Sequence, residues 1–320
     1  MLDQRSIYSK KMKRIFEEID QFKKIQSVLK REGFSIDHID EYGFTICGNH
    51  QSERIDLLIT GLVHGNEVIG IEVINRVLKR VVKNNEININ LGFLLCNIEA
   101  AQKNTRFVES DLNRSFSTKE IVTLEQRRAS EIAKIVDQTD FIFDLHQTVE
   151  PSLTPFFVME HRHELIQIAN QLLPQFPIVT FGAGGFSKTG QTMLEYASAK
   201  GAKAMVIECG QNGFSEDLSQ KIESACLELI KTLKNTKIIK TKHISVLHLV
   251  SSITHMGNTH LVPGLVSYLP IKQGQVLAYE GDIEIKAPFD GRLVFPSYGD
   301  KARTNHELCN LGQIINYTDI

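Results

Sequence analysis

The segment GLVHGNE at positions 61–67 contains the first pair of residues that could bind a metal ion, His64 and Glu67. It directly follows the strand-like run Arg54–Thr60, and a helical pattern begins after it. Side chains three positions apart meet on one side of a helical turn, and a neutral imidazole and a carboxylate are suitable zinc ligands. The alternative is a structural one, an Asn/Gly turn followed by a glutamate that is well placed for the helix dipole.

A third candidate ligand distinguishes this pair from His161 and Glu164, which have the same spacing and which we interpret as the solvated start of a helix. Catalytic zinc has three protein ligands and one open position. His146 ends the strand-like run Phe141–Leu145 and would point into the crevice that GLVHGNE borders. Asp144, one alternate position earlier, could reach the second ring nitrogen of His146, as outer-shell carboxylates do. Alone, His146 would be an ordinary packed histidine.

Glu208 is a candidate general base. It ends the apolar run Ala204–Ile207 and is followed by Cys209 and Gly210, so its carboxylate would lie at the mouth of a strand before a loop. A carboxylate in that position can take a proton from a water molecule that zinc activates. The alternative is an acid that caps a helix or stabilises the loop.

The segment NTRFVESDLNRSF at positions 104–116 carries three polar candidates, Arg106, Asn113 and Arg114, with little helical or strand period. An arginine can hold a carboxylate through two parallel hydrogen bonds or stabilise an oxyanion as a fixed donor. The alternative is a surface loop with ordinary solvated charges. The order and spacing of this segment among the other three favour the chemical interpretation.

Strand-like and helix-like segments alternate from about residue 43 to residue 235 and would position these side chains. The strand-like runs are apolar throughout, as expected for strands covered on both faces. They are Ile55–Thr60, Leu91–Cys96, Phe141–Leu145 and Ala204–Ile207, and the helical stretches include Val68–Val82, Ile121–Val136 and Leu218–Leu233. The alternation predicts an α/β sandwich with a mostly parallel or mixed sheet, in which functional residues collect beyond the carboxyl ends of the strands.

After about residue 240, short β-rich pieces replace this alternation and no helical period remains. We therefore predict two domains, an α/β domain over residues 1–240 and an all-β domain over residues 241–320 that caps the active site. The first 40 residues are expected to form a charged amphipathic helix that extends the first domain. The segment GDIEIKAPFDGRLVFPS at 281–297 is similar to biotinyl and lipoyl carrier modules, but it lacks the lysine motif that such carriers modify.

The composition is that of a globular chain and argues against several other classes of protein. Of the 320 residues, 42% are hydrophobic and 23% are charged, close to the globular average. The net charge of −2 gives no sign of nucleic-acid binding. Five scattered cysteines without CxxC spacing exclude a disulfide scaffold and a thiolate cluster. We see no signal peptide and no run of roughly 20 apolar residues, so we expect a cytoplasmic protein without a membrane segment.

Taken in order, GLVHGNE, SDLNRSF, FDLHQT and IECG resemble the motifs of the succinylglutamate desuccinylase/aspartoacylase branch of the zinc carboxypeptidase superfamily. The resemblance runs through motifs from about residue 55 to residue 235 and extends to the end through the all-β domain. It implies a zinc-carboxypeptidase-like α/β/α sandwich with a mixed, mostly parallel sheet, plus a small C-terminal all-β domain. It also implies one zinc ion per chain, held by His64, Glu67 and His146.

The same resemblance implies roles for four further residues. Glu208 matches the family's general base and acid, and Arg106 matches the arginine that polarises the scissile carbonyl. Asn113 and Arg114 match the pair that holds a substrate carboxylate.

Two departures from the family pattern concern the acyl group. Phe295 stands in the stretch where aspartoacylase has a substrate-contacting tyrosine, and Ser198 stands where family members carry an arginine for an acidic acyl group. Lys200 is the nearby cation. The sequence therefore leaves the acyl group unidentified, with succinyl, acetyl and other short groups open.

We expect a zinc-dependent hydrolase that cleaves the amide bond of a small N-acyl amino acid. The rival hypotheses are a zinc carboxypeptidase that acts on short peptides and a non-catalytic protein that binds a metal or a ligand. The expected partner is a small-molecule substrate, with no nucleic acid and no membrane. The oligomeric state stays open, a homo-oligomer included.

Overall fold

The computed structural model describes residues 4–48, 52–84, 87–182, 185–187, 189–235, 238–298 and 306–318. Its helices are α1 Gln4–Arg31, α2 Ile69–Asn84, α3 Ile98–Lys103, α4 Leu124–Val136, α5 His163–Leu172, α6 Met193–Ala199 and α7 Glu216–Asn235, with a short 3₁₀ turn at Leu112–Arg114. Its strands are β1 Ile36–Asp40, β2 Gly43–Ile46, β3 Leu57–Gly61, β4 Leu91–Leu95, β5 Phe141–Thr148, β6 Phe156–Glu160, β7 Ile178–Phe181, β8 Lys203–Gln211, β9 His243–Thr254, β10 Thr259–Leu261, β11 Leu269–Ile271, β12 Val276–Glu280, β13 Ile283–Lys286, β14 Gly291–Val294 and β15 Glu307–Thr318.

The chain divides into two compact units. The first comprises the described residues of Met1–His146, Thr192–Ala204 and Gly213–Lys237, and the second those of Gln147–Gln191, Met205–Asn212 and Ile238–Ile320. The predicted boundary at residue 240 stays a prediction.

The strands of the first unit follow the order β1-β2-β4-β3-β5. β3 lies between β4 and β5 and runs parallel to both, whereas β1 and β2 are antiparallel. All residues of β3, β4 and β5 are buried, as their uninterrupted apolar runs predict. Gly61 pairs with Leu95 and with Leu145, so the carboxyl ends of the three strands meet at one edge of the sheet.

Helix α2 packs closely over these strands. A Cβ atom added to Gly70 would lie 3.1 Å from the Cα of Gly61 and 3.2 Å from the carbonyl oxygen of Leu145. Glycine therefore lets the helix approach β3 and β5. Salt bridges join α2 to α1 and α7, with Arg14 2.9 Å from Glu72 and Arg80 2.8 Å from Glu223.

The N-terminal helix ends earlier than we predict from the sequence. Helix α1 ends at Arg31, Gly33 has a φ of +88°, and the N–H of Phe34 donates to the carbonyl of Leu29 at 3.0 Å. Glycine adopts this left-handed conformation readily and commonly ends helices. The prediction of a helix over the first 40 residues is therefore wrong for Ile36–Asp40, which form β1.

The second unit holds two sheets. One has the order β8-β6-β7-β9-β15-β14-β11, in which β7 runs parallel to β6 and β9 and the other pairs are antiparallel. The other is a separate antiparallel sheet of β10, β12 and β13. Buried side chains including Leu277, Leu293 and Cys309 fill the core beside them. Beyond His243 the described residues form no helix.

The predicted α/β fold with a mixed sheet and C-terminal antiparallel strands is confirmed. None of the helices described is long and apolar enough to cross a bilayer. The five cysteines all lie within the described ranges, and none of them forms a disulfide.

Candidate metal centre

Three side chains that could hold a metal ion converge in the first unit: His64, Glu67 and His146. Each offers one ligand atom, and these atoms all lie within 4.8 Å of one another. His64 and Glu67 lie in the turn between β3 and α2, and His146 lies near the end of the neighbouring strand β5. The three residues are only 2–3% exposed. The structure therefore brings together the three ligands that we predict from sequence.

The two histidines face the carboxylate of Glu67 with the same ring atom. Nδ1 of His64 lies 2.7 Å from Oε1 of Glu67, and Nδ1 of His146 lies 2.8 Å from Oε2. Two imidazole nitrogens and a carboxylate form the ligand set of one common class of catalytic zinc site. The chemistry and convergence of these atoms therefore fit a single zinc ion.

Carboxylates hold the opposite ring nitrogen of each histidine. Nε2 of His146 lies 2.7 Å from Oδ2 of Asp144, whose Oδ1 accepts a hydrogen bond from the hydroxyl of Thr60 at 2.7 Å. Nε2 of His64 lies 3.1 Å from Oδ1 of Asp111. When Nε2 donates its proton to a carboxylate, Nδ1 keeps the lone pair that binds a metal. The predicted contact of Asp144 with His146 is confirmed.

The buried charges shift the pKa values of this group. Burial acts to lower the pKa of His146, but Asp144 and Glu67 raise it well above its ordinary value. Burial acts to raise the pKa of Glu67, but the two histidines lower it. The pKa of Asp111 is likewise held well below its usual range, because Arg106 and His64 outweigh burial. The carboxylates of the centre thus favour a bound cation. Protons and a metal ion would compete for the histidine nitrogens.

Backbone constraints fix the turn that carries His64 and Glu67. A Cβ atom at Gly65 would lie 2.2 Å from backbone atoms of Ala100 and Ala101, so this position requires glycine. The N–H of Gly65 donates to the carbonyl of Arg106 at 3.1 Å. Leu62, which is fully buried, has a φ of +58°. Such left-handed backbone costs energy at a residue other than glycine and is found mainly at functional sites.

Arg106 reaches the candidate ligands from the loop after α3. Its Nη1 lies 3.4 Å from Oε1 of Glu67, and its Nε donates to Oδ2 of Asp111 at 3.1 Å. The guanidinium is therefore held beside the metal centre by two carboxylates. Its side chain remains about one-third exposed, at 32%.

Asn113 and Arg114 lie on the 3₁₀ turn that follows. The carboxylate of Asp111 caps this turn by accepting the N–H of Asn113 at 2.9 Å. Oδ1 of Asn113 accepts the N–H of Met193 at 2.9 Å, and Nη1 of Arg114 donates to the carbonyl of Asn113 at 2.8 Å. These bonds hold the two side chains on a fixed turn directly after the residue that contacts His64.

Glu208 and Phe295 lie in the second unit. Glu208 is 7% exposed on β8, where it is paired with Phe156 of β6. The ring of Phe295 lies 5.5 Å from that of Phe156, and Phe295 has a φ of +55°. The catalytic role of Glu208 stays a prediction.

Lys200, His161 and Glu164, which the sequence also singles out, make ordinary contacts with neighbouring side chains or begin a helix. Nζ of Lys200 lies 3.8 Å from Asp137 and packs over the ring of Tyr196. Helix α5 begins at His163, and the exposed Glu164 occupies its first turn, so our interpretation of this segment holds for Glu164 but not for the partly buried His161. His161 precedes the helix, and its Nδ1 lies 3.1 Å from the hydroxyl of Thr180.

Comparison with known proteins identifies the family. The sequence model described as the succinylglutamate desuccinylase/aspartoacylase catalytic domain matches residues 53–235, which is more than half of the chain. The chain belongs to this family. The family that the four motifs resemble is thereby confirmed.

Several members of the family can be aligned over most of their length. The succinylglutamate desuccinylase of Pseudomonas aeruginosa is 25% identical over 276 residues, covering 76% of this chain and 80% of the relative. That of Pseudoalteromonas atlantica is 26% identical over 285 residues, covering 77% of this chain and 78% of the relative.

Solved structures show the same fold at low identity. Succinylglutamate desuccinylase from Vibrio parahaemolyticus has a TM-score of 0.73 at 16% identity, covering 89% of this chain and 93% of that one. Murine aminoacylase 3 has a TM-score of 0.64 at 16% identity, covering 84% and 98%.

Two acidic residues of this family member were missed by sequence reasoning. Asp111 lies inside the SDLNRSF motif and contacts both His64 and Arg106. Glu125 binds the loop that carries Arg106 from the first turn of α4. The position of Asp111 within the motif indicates a place near the candidate site. Glu125, by contrast, follows Thr123 and Leu124 in a pattern that is typical of an ordinary helix start.

Proposed function

We propose that this protein is a zinc-dependent hydrolase that cleaves the amide bond of a small N-acyl amino acid. The observation that carries the proposal is the convergence of Nδ1 of His64 and Nδ1 of His146 on Glu67, with each Nε2 held by a carboxylate. Membership of the desuccinylase/aspartoacylase family supports the reaction class.

His64, Glu67 and His146 would hold one zinc ion per chain. When bound, zinc would act as a Lewis acid toward the scissile carbonyl and lower the pKa of water in the site. Asp111 and Asp144 would accept the Nε2 protons of the two histidines and so keep both rings oriented with Nδ1 toward the ion.

Arg106 would stabilise the negative charge that develops on the acyl oxygen. Its guanidinium is fixed by Asp111 and Glu67 before substrate arrives, so little reorganisation is needed during the reaction. A fixed, always charged donor suits an oxyanion better than a mobile ammonium group does.

Glu208 would serve as general base and then general acid. Its carboxylate would take a proton from the attacking water, and the C–N bond of the tetrahedral intermediate would then break as Glu208 returns that proton to the leaving amine. The products would be a carboxylate and a free amino acid. Burial of Glu208 supports this role, because proton transfer benefits from exclusion of bulk water.

Asn113 and Arg114 would bind the carboxylate of the amino-acid part of the substrate. The fixed 3₁₀ turn supports this assignment, since paired donors on a rigid backbone lose little entropy on binding. The curated relatives are named for succinylglutamate, which supports an N-acyl amino acid as the substrate class. Ser198 stands where family members carry an arginine for an acidic acyl group, and the nearby Lys200 pairs with Asp137. The identity of the acyl group is therefore determined by comparing N-succinyl and N-acetyl substrates.

A substrate panel tests the proposal. N-succinyl and N-acetyl amino acids, the matching amino-acid carboxamides and a long peptide would be assayed side by side for amine release by the zinc-loaded protein. We expect the acids to react far faster than the carboxamides and the peptide to be left intact. Comparable kcat/KM for acid and carboxamide would contradict the role of Arg114, and efficient trimming of the peptide would favour the carboxypeptidase hypothesis. No turnover of any compound would favour a non-catalytic binding protein.

A further inference from the structure

The carboxylate of Glu125 is buried at the start of α4 and accepts four N–H groups. Its Oε1 accepts the backbone N–H of Val108 at 2.6 Å and the side-chain amide of Asn97 at 3.3 Å. Its Oε2 accepts the N–H groups of Glu109 at 3.1 Å and Ser110 at 3.0 Å. An ionised carboxylate offers about four acceptor sites, so these four donors use its capacity. Glu125 is only 2% exposed.

The three backbone donors are consecutive residues in a stretch that forms neither helix nor strand. These N–H groups therefore have no acceptor within a helix or a sheet, and the carboxylate of Glu125 accepts their hydrogen bonds instead. Two further bonds join the same stretch to the start of α4. Ser110 Oγ lies 2.6 Å from Thr123 Oγ1, and the N–H of Leu124 donates to Glu109 at 2.7 Å.

Residues 108–110, which Glu125 binds through their backbone N–H groups, form the clamped stretch. It lies directly between Arg106 and Asp111, the two loop residues of the candidate centre. Arg106 precedes Val108 by two positions, and Asp111 follows Ser110 by one. Their contact with each other closes the loop over the clamped stretch. A shift of residues 108–110 would therefore move the guanidinium and the partner of His64 together.

Asn97 extends the clamp to the turn that carries the ligands. While its amide nitrogen donates to Glu125, its Oδ1 accepts the N–H of Ala100 and caps α3. The backbone of Ala100 is the surface against which Gly65 packs. Glu125 thus contacts both the loop that carries Arg106 and Asn97, which caps α3. Helix α3 in turn packs against the turn that carries His64 and Glu67.

We propose that Glu125 is a positioning residue for the reaction, because its carboxylate fixes the loop that sets Arg106 and Asp111 against the metal ligands. The inference rests on the proposed function. The simpler alternative is that Glu125 only stabilises the fold, as acidic residues in the first turn of a helix commonly do.

Glu125→Gln tests the inference with little change in volume. An amide has a single acceptor oxygen, and its NH₂ group would face N–H donors. Each carboxylate oxygen accepts two of the four N–H groups, so two of them lose their acceptor in either orientation of the amide, and at least one of these belongs to the loop. We expect hydrogen exchange at residues 106–111 to become at least tenfold faster, kcat to fall by about 10- to 100-fold with little change in KM, and zinc to bind more weakly through loss of Asp111 from His64.

Glu223→Gln is the matched control. Glu223 is also a buried acid of the first unit, and it pairs with Arg76 and Arg80 between α7 and α2. This variant is expected to lose stability while it keeps wild-type loop exchange, kcat and zinc affinity. Equal effects of the two substitutions on these three readouts would overturn the positioning role.

Glu125→Asp gives a second test if the glutamine variant does not fold. Its carboxylate keeps the charge but is one methylene shorter, so it cannot reach all four donors. Faster loop exchange and lower kcat are expected here too, whereas wild-type values of both would overturn the inference. Exchange and zinc affinity need no substrate. If the wild-type protein hydrolyses no acyl amino acid but Glu125→Gln still loosens the loop and weakens zinc binding, the proposed function fails and the positioning of Asp111 stands.

Discussion

Oδ2 of Asp111 lies 3.1 Å from both Nε and Nη2 of Arg106. The other oxygen of the same carboxylate lies 3.1 Å from Nε2 of His64. One side chain therefore orients a candidate metal ligand and the guanidinium proposed to stabilise the oxyanion. Because both contacts depend on one carboxylate, metal affinity and turnover should respond together when it is changed.

Asp111→Asn is expected to weaken zinc binding by about 10- to 100-fold, the usual effect of losing an outer-shell partner. The asparagine has one acceptor oxygen and no charge, so it cannot hold His64 and Arg106 as the carboxylate does. Competition with a chromophoric chelator measures the affinity, and kcat is measured at saturating zinc. Asp137→Asn, which alters an acid bonded to Tyr196, is the control. Equal zinc affinity in both variants would contradict the role of Asp111.

Arg106→Lys and Arg114→Lys should have different kinetic phenotypes. Loss of the fixed donor at Arg106 should lower kcat by about 100- to 1000-fold, as loss of an oxyanion donor does. Replacing Arg114 should mainly raise KM, because the substrate carboxylate is held in ground state and transition state alike. Steady-state kinetics on the best N-acyl amino acid distinguish the two. A shared phenotype would mean that both arginines serve the same group.

Glu208→Gln should keep the fold and the zinc but lose most turnover, since an amide cannot accept the proton of the attacking water. Zinc content, melting temperature and amine release would be measured on the same preparation. A structural carboxylate would show the reverse pattern, a lower melting temperature with activity largely kept. Turnover near that of the wild type would remove Glu208 from the mechanism.

The stability contributed by Glu125 should depend on pH. Burial acts to raise the pKa of this carboxyl, but hydrogen bonds from Val108, Ser110, Asn97 and Glu109 lower it below its ordinary value of 4.5. A depressed folded-state pKa gives stability that is present above the unfolded pKa and is lost as pH falls through the folded one. The free energy of unfolding of Glu125→Gln should therefore be lower than that of the wild type by about 1–3 kcal/mol near neutral pH. This gap should narrow as the pH falls below the ordinary value of 4.5.

Thermal unfolding of both proteins between pH 3 and pH 7 measures this gap. The other carboxyl groups titrate in both proteins, so they largely cancel in the difference. A gap that stays constant across the whole range would show that ionisation of Glu125 does not stabilise the loop.

The sequence was sufficient where local pattern determines structure. The apolar runs of β3 and β5 predicted strands buried on both faces, and alternation along β5 put Asp144 and His146 on the same side. Their 2.7 Å contact follows from that alternation. The end of α1 is also marked in the sequence, because Gly33 is a typical helix-ending glycine. The charged amphipathic pattern that predicts a helix over the first 40 residues does not reflect this signal.

Other contacts depend on how distant segments fold together. Asp111 meets His64 across 47 positions, and Glu125 meets Val108 across 17 in a loop without period. In sequence both acids look like solvated charges of a polar segment. Only the folded backbone shows that Asp111 lies against the candidate ligand His64 and that Glu125 accepts four hydrogen bonds.

The central claim is that His64, Glu67 and His146 hold one zinc ion per chain on which amide hydrolysis depends. The most direct test is elemental analysis of wild type and His64→Ala, both purified without chelators, with amine release from an N-acyl amino acid measured on the same samples. We predict one equivalent of zinc and turnover in the wild type, and loss of both in the variant. Full stoichiometric zinc in His64→Ala, or undiminished turnover by metal-free wild type, would contradict the claim.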